Sequence, residues 1–345
     1  MSSRLLECAL SGRELTGAEA EELMEELLSG RLQTAQIVAL LTALNTRPYR
    51  AEELAGFARA MRRHAAQVFG PDEVLPKRMV DTCGTGGDDS GTFNISTGAA
   101  ILAAAAGARV AKHGNRAATS RSGSADVLEA LGVRIDLPFP VIGRAIREIG
   151  IGFLFAQAAH TAARHAMPAR KQIGTRTVFN LLGPLTNPAR AQAQVLGVFS
   201  ADVVELVAKT LAALGTEHAF VVHGAGKLDE ISLAGPTMVA EVRDGEVRQY
   251  AISPATFGKQ EAPLAAIRGG SPEENATLLR SVLDPAKGAS AARDILVINA
   301  AAALVAAGAA ADLRAGAEQA EEALQSGAAA AKLAALRQFS ALHGA

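Results

Sequence analysis

Three small-residue segments with polar punctuation stand close together: Gly84-Thr85-Gly86-Gly87-Asp88, then Asn94-Ile95-Ser96-Thr97, then Lys112-His113-Gly114-Asn115-Arg116, which leads on to Ser120, Ser122 and Ser124. Each suits one part of an anion site. Glycines without a Cβ let the backbone take positive φ and approach a ligand closely. Successive N–H groups in such a turn form a nest for phosphate. Ser96 or Thr97, at the front of an apolar run, can cap a helix whose amino end also favours an anion. Lys112 is a point charge suited to phosphate. Farther on, Asp229-Glu230 places two adjacent carboxylates just after the run ending at His223-Gly224. Taken singly, the turn reads as a tight turn, Ser96 and Thr97 as caps, and the acidic pair as a solvated loop. The pattern is neither a Walker loop, since no Gly-Lys-Ser/Thr follows, nor a good dinucleotide fingerprint.

These residues need a strand–turn–helix–strand unit to hold them. Arg78-Met79-Val80 reads as a strand into the glycine turn, the run from Gly98 as a buried helix, and Ala108–Ala111 as a second strand that delivers Lys112 to the sheet's carboxyl edge. That edge is where open α/β sheets bind ligands. Further strands are expected over 151–155, 194–199 and 218–223. Helices are expected over 124–131, 139–149 and 203–214. This alternation argues a mainly parallel sheet. Residues 239–250 read as a hairpin turning at Asp244-Gly245.

Residues 1–68 read as helices throughout. Thr16-Gly17-Ala18-Glu19 forms a capping box, and Ile37, Leu40, Leu41 and Leu44 recur at helical spacing. Ala51–Val68 is the last of these helices, and 70–77 a Pro-containing connector. Helix returns over 160–182. Ser271-Pro272-Glu273-Glu274 opens another helix. From Ala291 on, the chain reads as Ala-rich structural helix.

The composition excludes several classes. The chain has 345 residues, 49% of them hydrophobic, and a net charge of −1, so a sizeable core is expected and polyanion steering is not. Aromatics at 4% with no Trp make base-stacking surfaces improbable. Cys8 and Cys83 lie far apart, without metal-ligand spacing, and suit a reducing cytoplasm. Glu7, Arg13 and Glu14 interrupt any signal peptide, and Ile295–Ala311 reads as a buried helix rather than a membrane span.

GTGGD, NIST and KHGNR in this order resemble the anthranilate phosphoribosyltransferases, of the nucleoside phosphorylase-like phosphoribosyltransferase family. The resemblance covers nearly the whole chain and weakens in its last quarter. It implies a small helical domain over 1–70, completed by about 160–190, and an α/β domain over 71–345 that binds phosphoribosyl pyrophosphate. It also implies a cytoplasmic enzyme of tryptophan biosynthesis, a homodimer through the helical domain, and no nucleic-acid or membrane partner. The reaction implied is transfer of the phosphoribosyl group to the amino group of anthranilate, the second step of the tryptophan branch, giving N-(5-phosphoribosyl)anthranilate and pyrophosphate. No acid–base catalyst is needed, since positioning and electrostatics can supply the rate.

Carried over residue by residue, the phosphoribosyl pyrophosphate contacts are Gly84, Gly87, Asp88, Thr92, Asn94, Ile95, Ser96, Thr97, Lys112, His113, Gly114, Asn115, Arg116, Ala117, Ala118, Thr119, Ser120 and Ser124. Anthranilate contacts are Gly84, Asn115 and Arg170, the last through its carboxylate. Ser96, Asp229 and Glu230 are the metal ligands, for two Mg²⁺ per subunit. His113 by itself reads as a packed histidine rather than a base. Residues 174–188 match strongly and read as a hinge. The family's Phe-Ala-Pro and His-Pro-Ala-Met-Lys stand here as Phe155-Ala156-Gln157 and His160-Thr161-Ala162-Ala163-Arg164, so two prolines are missing near the acceptor's approach. Three other readings remain open: a relative with another aromatic or amine acceptor, a nucleoside phosphorylase, which would not need the carboxylate pair for metal, and a binding protein without activity.

Overall fold

Short runs covered on both faces become parallel strands. They are β1 (Val80–Gly84), β2 (Val110–Gly114), β3 (Ile151–Phe155), β4 (Ala193–Gly197) and β5 (His218–Gly224). β6 (Thr237–Arg243) and β7 (Glu246–Ile252) extend the sheet as an antiparallel hairpin. Asp244 (φ 52°) and Gly245 (φ 84°) take the left-handed pair of conformations that a two-residue hairpin demands. The order is β3-β2-β1-β4-β5-β6-β7. The computed structural model describes residues 4–88, 90–117 and 121–344.

Helices α1 (Arg4–Leu10), α2 (Gly17–Leu28), α3 (Thr34–Asn45) and α4 (Ala51–His64) come first. The Thr16 capping box forms as expected, with both hydrogen bonds made. α5 (Ile95–Ala105) crosses from β1 to β2, and α6 (Ser124–Ala130) and α7 (Phe139–Glu148) lead to β3. An excursion follows through α8 (Ala156–Ala159), a 3₁₀ turn (Thr161–Ala166), α9 (Met167–Ile173) and α10 (Phe179–Leu182) before β4. α11 (Val204–Ala213) joins β4 to β5. The chain closes with α12 (Pro272–Leu283), α13 (Ala291–Ala306), α14 (Leu313–Gln325) and α15 (Ala328–His343).

Side-chain alternation divides the core. Val195, Phe220 and Val222 join α5, α13, α14 and α15 on one face, while Leu196, Ala219 and Val221 join α11 and the amino-terminal helices on the other. Ala166, Ala169, Val178 and Phe179 belong to the second cluster, so the excursion packs with α1–α4. α13 is buried along almost its whole length, as read for the apolar run. Among the described residues no helix is long and apolar enough to cross a membrane.

Several expected boundaries shift. β1 starts at Val80, because Arg78 is in a left-handed conformation (φ 49°) and the Met79 N–H is bound to the Gln192 side chain at 3.0 Å. The strand then runs on through polar residues: Asp81 and Thr82 are buried but hydrogen-bonded, which removes the cost of burying them. β2 likewise takes in Lys112 and His113. α4 stops at His64, since Ala65 is extended (ψ 149°) and Val68 and Phe69 plug a separate cluster with Met79 and Ile142.

Candidate active site

The chain leaves β1 toward β2 and leaves β4 toward β5, so β1 and β4 flank the point where strand order reverses. Gly84 and Gly197 pair at their carboxyl ends. A crevice outside the carboxyl ends at such a point is the ligand site of open α/β sheets. Gly86 (φ 67°) and Gly87 (φ 73°) are left-handed, as a concave amide turn requires. Thr85 ties the turn to the neighbouring strand: its N–H donates to the Gly197 carbonyl at 2.9 Å, and its hydroxyl accepts from the Phe199 N–H at 3.0 Å.

The acidic pair folds back onto this turn from beyond β5. Asp229 Oδ2 accepts from the Gly86 N–H at 2.8 Å, and Glu230 Oε1 accepts from the Ser96 N–H at 3.2 Å. The first turn of α5 is therefore capped by a distant carboxylate. Asn94 is the N-cap residue and makes no side-chain cap bond, and the expected Ser or Thr cap does not form. Lys112 is buried beneath, its ammonium donating to the Thr82 carbonyl and, at 3.4 Å, to Ser96 Oγ. Gly84, Gly87, Asp88, Ser96, Lys112, Asp229 and Glu230 thus come together.

Charge in this place is costly. Burial, then the neighbouring Asp88 carboxylate, pushes Asp229 up to about 7. Glu230 is raised well above its usual range by burial, then by Asp229 and Asp88. Burial lowers Lys112, opposed chiefly by Asp81. Asp81 is itself raised by burial; its carboxylate accepts from the His113 N–H at 3.0 Å and from Asn187 Nδ2 at 2.8 Å. The His113 ring lies edge-on to His160 with centroids 5.2 Å apart. Burial holds His113 well below its usual range and brings His160 to about 4, so both are neutral at pH 7. This is the packed histidine that the sequence suggested.

Asn94 organises a second group. Its amide donates to the Ser122 carbonyl at 3.0 Å, and its Oδ1 accepts from Ser122 Oγ and from Asn275 of α12. Thr92 bridges to Arg268, and its hydroxyl lies 3.2 Å from Ser90 Oγ. Gly114 abuts Ser124, and the Asn115 carbonyl accepts from the Ala125 N–H. Asp126 closes the loop by accepting from the Ala117 and Gly123 N–H groups, both at 2.9 Å. The Arg116 guanidinium is engaged with Asp126 and Glu129. Ile95 and Thr97 are buried on α5; the Thr97 hydroxyl has no hydrogen-bond partner among the described residues. Asp89, Ala118, Thr119 and Ser120 lie outside the described residues.

Arg170 sits on α9, with its guanidinium 5.3 Å from the centre of the Phe179 ring. Among the described residues no carboxylate pairs with it and no hydrogen bond joins it to the glycine turn. Burial lowers its pKa. It is a half-enclosed cation in need of an anion. The two positions without proline begin short helical segments: Gln157 is second in α8, and Thr161 is first in the 3₁₀ turn. Proline is tolerated at such positions, so its absence leaves the local shape intact and removes only stiffness.

Comparison with known proteins now bears on this geometry. The model of the glycosyl transferase family a/b domain matches residues 76–330, and that of the family's helical bundle domain matches residues 3–65. The anthranilate phosphoribosyltransferase of Thermomicrobium roseum is 50% identical, covering 99% of this chain and 97% of its own. This chain belongs to the anthranilate phosphoribosyltransferase family. The crystal structure of the Thermus thermophilus enzyme superposes with a TM-score of 0.92 at 45% identity, covering 98% of this chain and all of that one. The Saccharomyces cerevisiae enzyme, solved in complex with PRPP and Mg, gives 0.88 at 28% identity and 99% coverage of each.

Within this family member, three residues that the sequence reading gave no role brace the site from behind. Asn187 bridges Asp81 and the Ala111 carbonyl, within the segment read as a hinge. Gln194 donates to Cys83 Sγ and to the Pro184 carbonyl. Asn299, inside the Ala-rich helix that seemed chemically silent, accepts from the Ile231 N–H at 3.0 Å and donates to the Ile231 carbonyl at 3.0 Å. It clamps the residue next to Glu230. A lone polar residue in a long apolar run is the one signal that could have found it. Asn299→Leu leaves two buried main-chain groups unsatisfied, at about 1–3 kcal/mol each. Denaturant unfolding should show a loss of about 3 kcal/mol, and half-saturating Mg²⁺ should rise in the same variant; an unchanged midpoint would remove Asn299 from this role.

Proposed function

We propose that this chain transfers the phosphoribosyl group of phosphoribosyl pyrophosphate to the amino group of anthranilate, giving N-(5-phosphoribosyl)anthranilate and pyrophosphate, in tryptophan biosynthesis. The observation that carries this reading is the meeting of a glycine amide turn, Lys112 and a buried carboxylate pair at one switch point. The amine nitrogen forms a bond to C1′ of the ribose as the C1′–O bond to pyrophosphate breaks, and the nitrogen's proton passes to solvent. Negative charge grows on the leaving group and positive charge on the ring.

The residues fit Mg²⁺. Asp229 and Glu230 are enclosed and crowded by the Asp88 carboxylate, and among the described residues they accept from the Gly86 and Ser96 N–H groups without a cationic side chain paired to them, so a divalent cation would relieve them. Among the described residues no three His, Cys, Asp or Glu side chains are grouped to hold a metal, which suits an ion that takes one or two carboxylates and fills its shell with water and phosphate. Asp229 and Glu230 would hold one Mg²⁺ and Ser96 would contribute to a second, two per subunit. An ion held there would supply positive charge against the pyrophosphate.

The chain's own groups do the rest. Gly84 and Gly87 let the turn's amides face phosphate, and Asp88 takes ribose hydroxyls. Lys112 supplies positive charge from below. Thr92, Asn94, Ile95, Ser96, Thr97, residues 113–117 and Ser124 enclose the phosphoribosyl group; Ala118, Thr119 and Ser120, carried over with them, lie outside the described residues. Gly84, Asn115 and Arg170 orient anthranilate, Arg170 through the acceptor's carboxylate. A helical unit of residues 1–70 with about 160–190 faces an α/β unit across the cleft, and the helical unit carries a homodimer contact. The free thiols Cys8 and Cys83 fit a cytoplasmic enzyme.

The test is anthranilate fluorescence decay with phosphoribosyl pyrophosphate, with and without Mg²⁺. Loss that needs both substrates and Mg²⁺ supports the reading. Binding of phosphoribosyl pyrophosphate without that loss would overturn the acceptor assignment. Arg170→Ala should raise KM for anthranilate by about 30-fold, the worth of a charge-assisted hydrogen-bonded pair, and leave KM for phosphoribosyl pyrophosphate nearly unchanged.

A further inference from the structure

Arg176 is used by nothing described so far, yet it touches the glycine turn. It lies beyond Gly174, the left-handed residue that ends α9 (φ 68°), and so shares one short segment with Arg170. Its Nη2 donates to the Gly87 carbonyl. Its guanidinium carbon sits over the Phe199 ring, 4.2 Å from the ring centre. Its own carbonyl accepts from Asn45 Nδ2 of α3 at 2.7 Å, and Asn45 Oδ1 accepts from the Tyr49 hydroxyl. Among the described residues no carboxylate pairs with it.

We propose that Arg176 is a positioning residue that latches the glycine turn to the acceptor-bearing segment, so that the turn is set for pyrophosphate only while that segment is docked. The proposal rests on the functional reading above.

Three features make it a latch rather than a surface arginine. Phe199 is held by its N–H bond to Thr85, so the ring beneath the guanidinium belongs to the turn's own support. The cation–π contact restrains the guanidinium and reduces the entropy lost in its hydrogen bond. Gly87 is left-handed, and a Cβ there would stand 3.0 Å from Arg176 Nη2, so the approach suits a glycine. The turn is therefore held on one side by Asp229 through Gly86 and on the other by Arg176 through Gly87. On the far side, Asn45 anchors the Arg176 main chain to the amino-terminal helices. One residue thus links α3, the Arg170 segment and the phosphate turn.

The experiment measures KM for phosphoribosyl pyrophosphate, kcat and calorimetric Kd for phosphoribosyl pyrophosphate in Arg176→Ala, Arg176→Lys, Phe199→Leu and the Arg176→Ala/Phe199→Leu pair. Arg176→Ala should raise Kd and KM on the order of tenfold, as expected for losing one charge-assisted hydrogen bond, with the thermal midpoint nearly unchanged. Arg176→Lys, which can donate but not stack as a planar fork, should recover part of the loss. The double variant should be little worse than Arg176→Ala alone, because the two act as one unit. A Kd within twofold of the parent in Arg176→Ala, or full additivity with Phe199→Leu, overturns the latch. If Arg176→Ala does not fold, Arg176→Lys and Phe199→Leu decide by the same Kd criterion. The calorimetric Kd tests the latch even if anthranilate proves not to be the acceptor, and the parent's fluorescence assay tests the acceptor even if the latch fails.

Discussion

Asp229→Asn together with Glu230→Gln should lower Mg²⁺-supported kcat/KM on the order of 10³-fold while leaving the fold at least as stable. The activity loss follows from the role of the pair: without charge it cannot hold a cation against the leaving group, and removing a comparable electrostatic stabiliser elsewhere costs on the order of 10²–10³ in rate. The stability half is less obvious. Both carboxylates are buried; Asp88 raises the cost of ionising both, and Asp229 adds to that of Glu230. The amides keep an oxygen for the Gly86 and Ser96 N–H groups, so those bonds survive. Replacing uncompensated buried charge by a neutral isostere is commonly neutral or stabilising. Steady-state kinetics across a Mg²⁺ titration and a melt in metal-free buffer check the two halves. Parental turnover with parental Mg²⁺ dependence would defeat the assignment. A cooperative melt far below the parent's would mean that the carboxylates hold the site open by structure rather than by charge.

The difference between what the sequence revealed and what it hid has a physical basis. Glycine turns, strand–helix alternation and the β6–β7 hairpin are local, set by conformations that only some residues adopt. These were legible, and so was the meeting of Lys112 with the turn once the carboxyl edge was recognised; the acidic pair was brought there only by the family resemblance. Non-local hydrogen bonds were not. Nothing in Asn94-Ile95-Ser96-Thr97 tells that the helix is capped from Glu230, far along the chain. Nothing in Asp81 tells that its partners are the His113 N–H and Asn187, which allow a buried carboxylate inside a strand. Hydrophobic pattern misplaced the ends of β1 and β2 for the same reason: their polar residues are satisfied by buried partners rather than exposed. Arg176 and Asn299 were passed over because an arginine in a loop and an asparagine in an apolar helix gain meaning only from what lies opposite.

The strongest single-residue effect should come from Gly197→Ala, a position that looks like an ordinary strand residue. A Cβ there would stand 1.4 Å from the Asp229 carbonyl oxygen. No rotamer relieves that overlap, because the obstacle is backbone; the whole turn carrying Asp229 and Glu230 must move. Overpacking costs about 1–3 kcal/mol in ordinary cores, and a main-chain clash belongs at the upper end or beyond. The variant should lose about 3 kcal/mol or more in denaturant unfolding and, where still folded, kcat/KM on the order of 10³-fold. Gly84→Ala, on the paired strand, separates the two consequences. Its Cβ would stand 2.4 Å from Asp229 Oδ2, a side-chain atom that can swing away. It should therefore keep most of the stability and still weaken Mg²⁺ dependence sharply, because the swing breaks the Gly86 bond and turns the carboxylate from its place. If Gly84→Ala titrates with Mg²⁺ as the parent does, the carboxylate acts from another position than the one observed. If Gly197→Ala is both stable and active, the close approach of β4 to the acidic turn does not set the site.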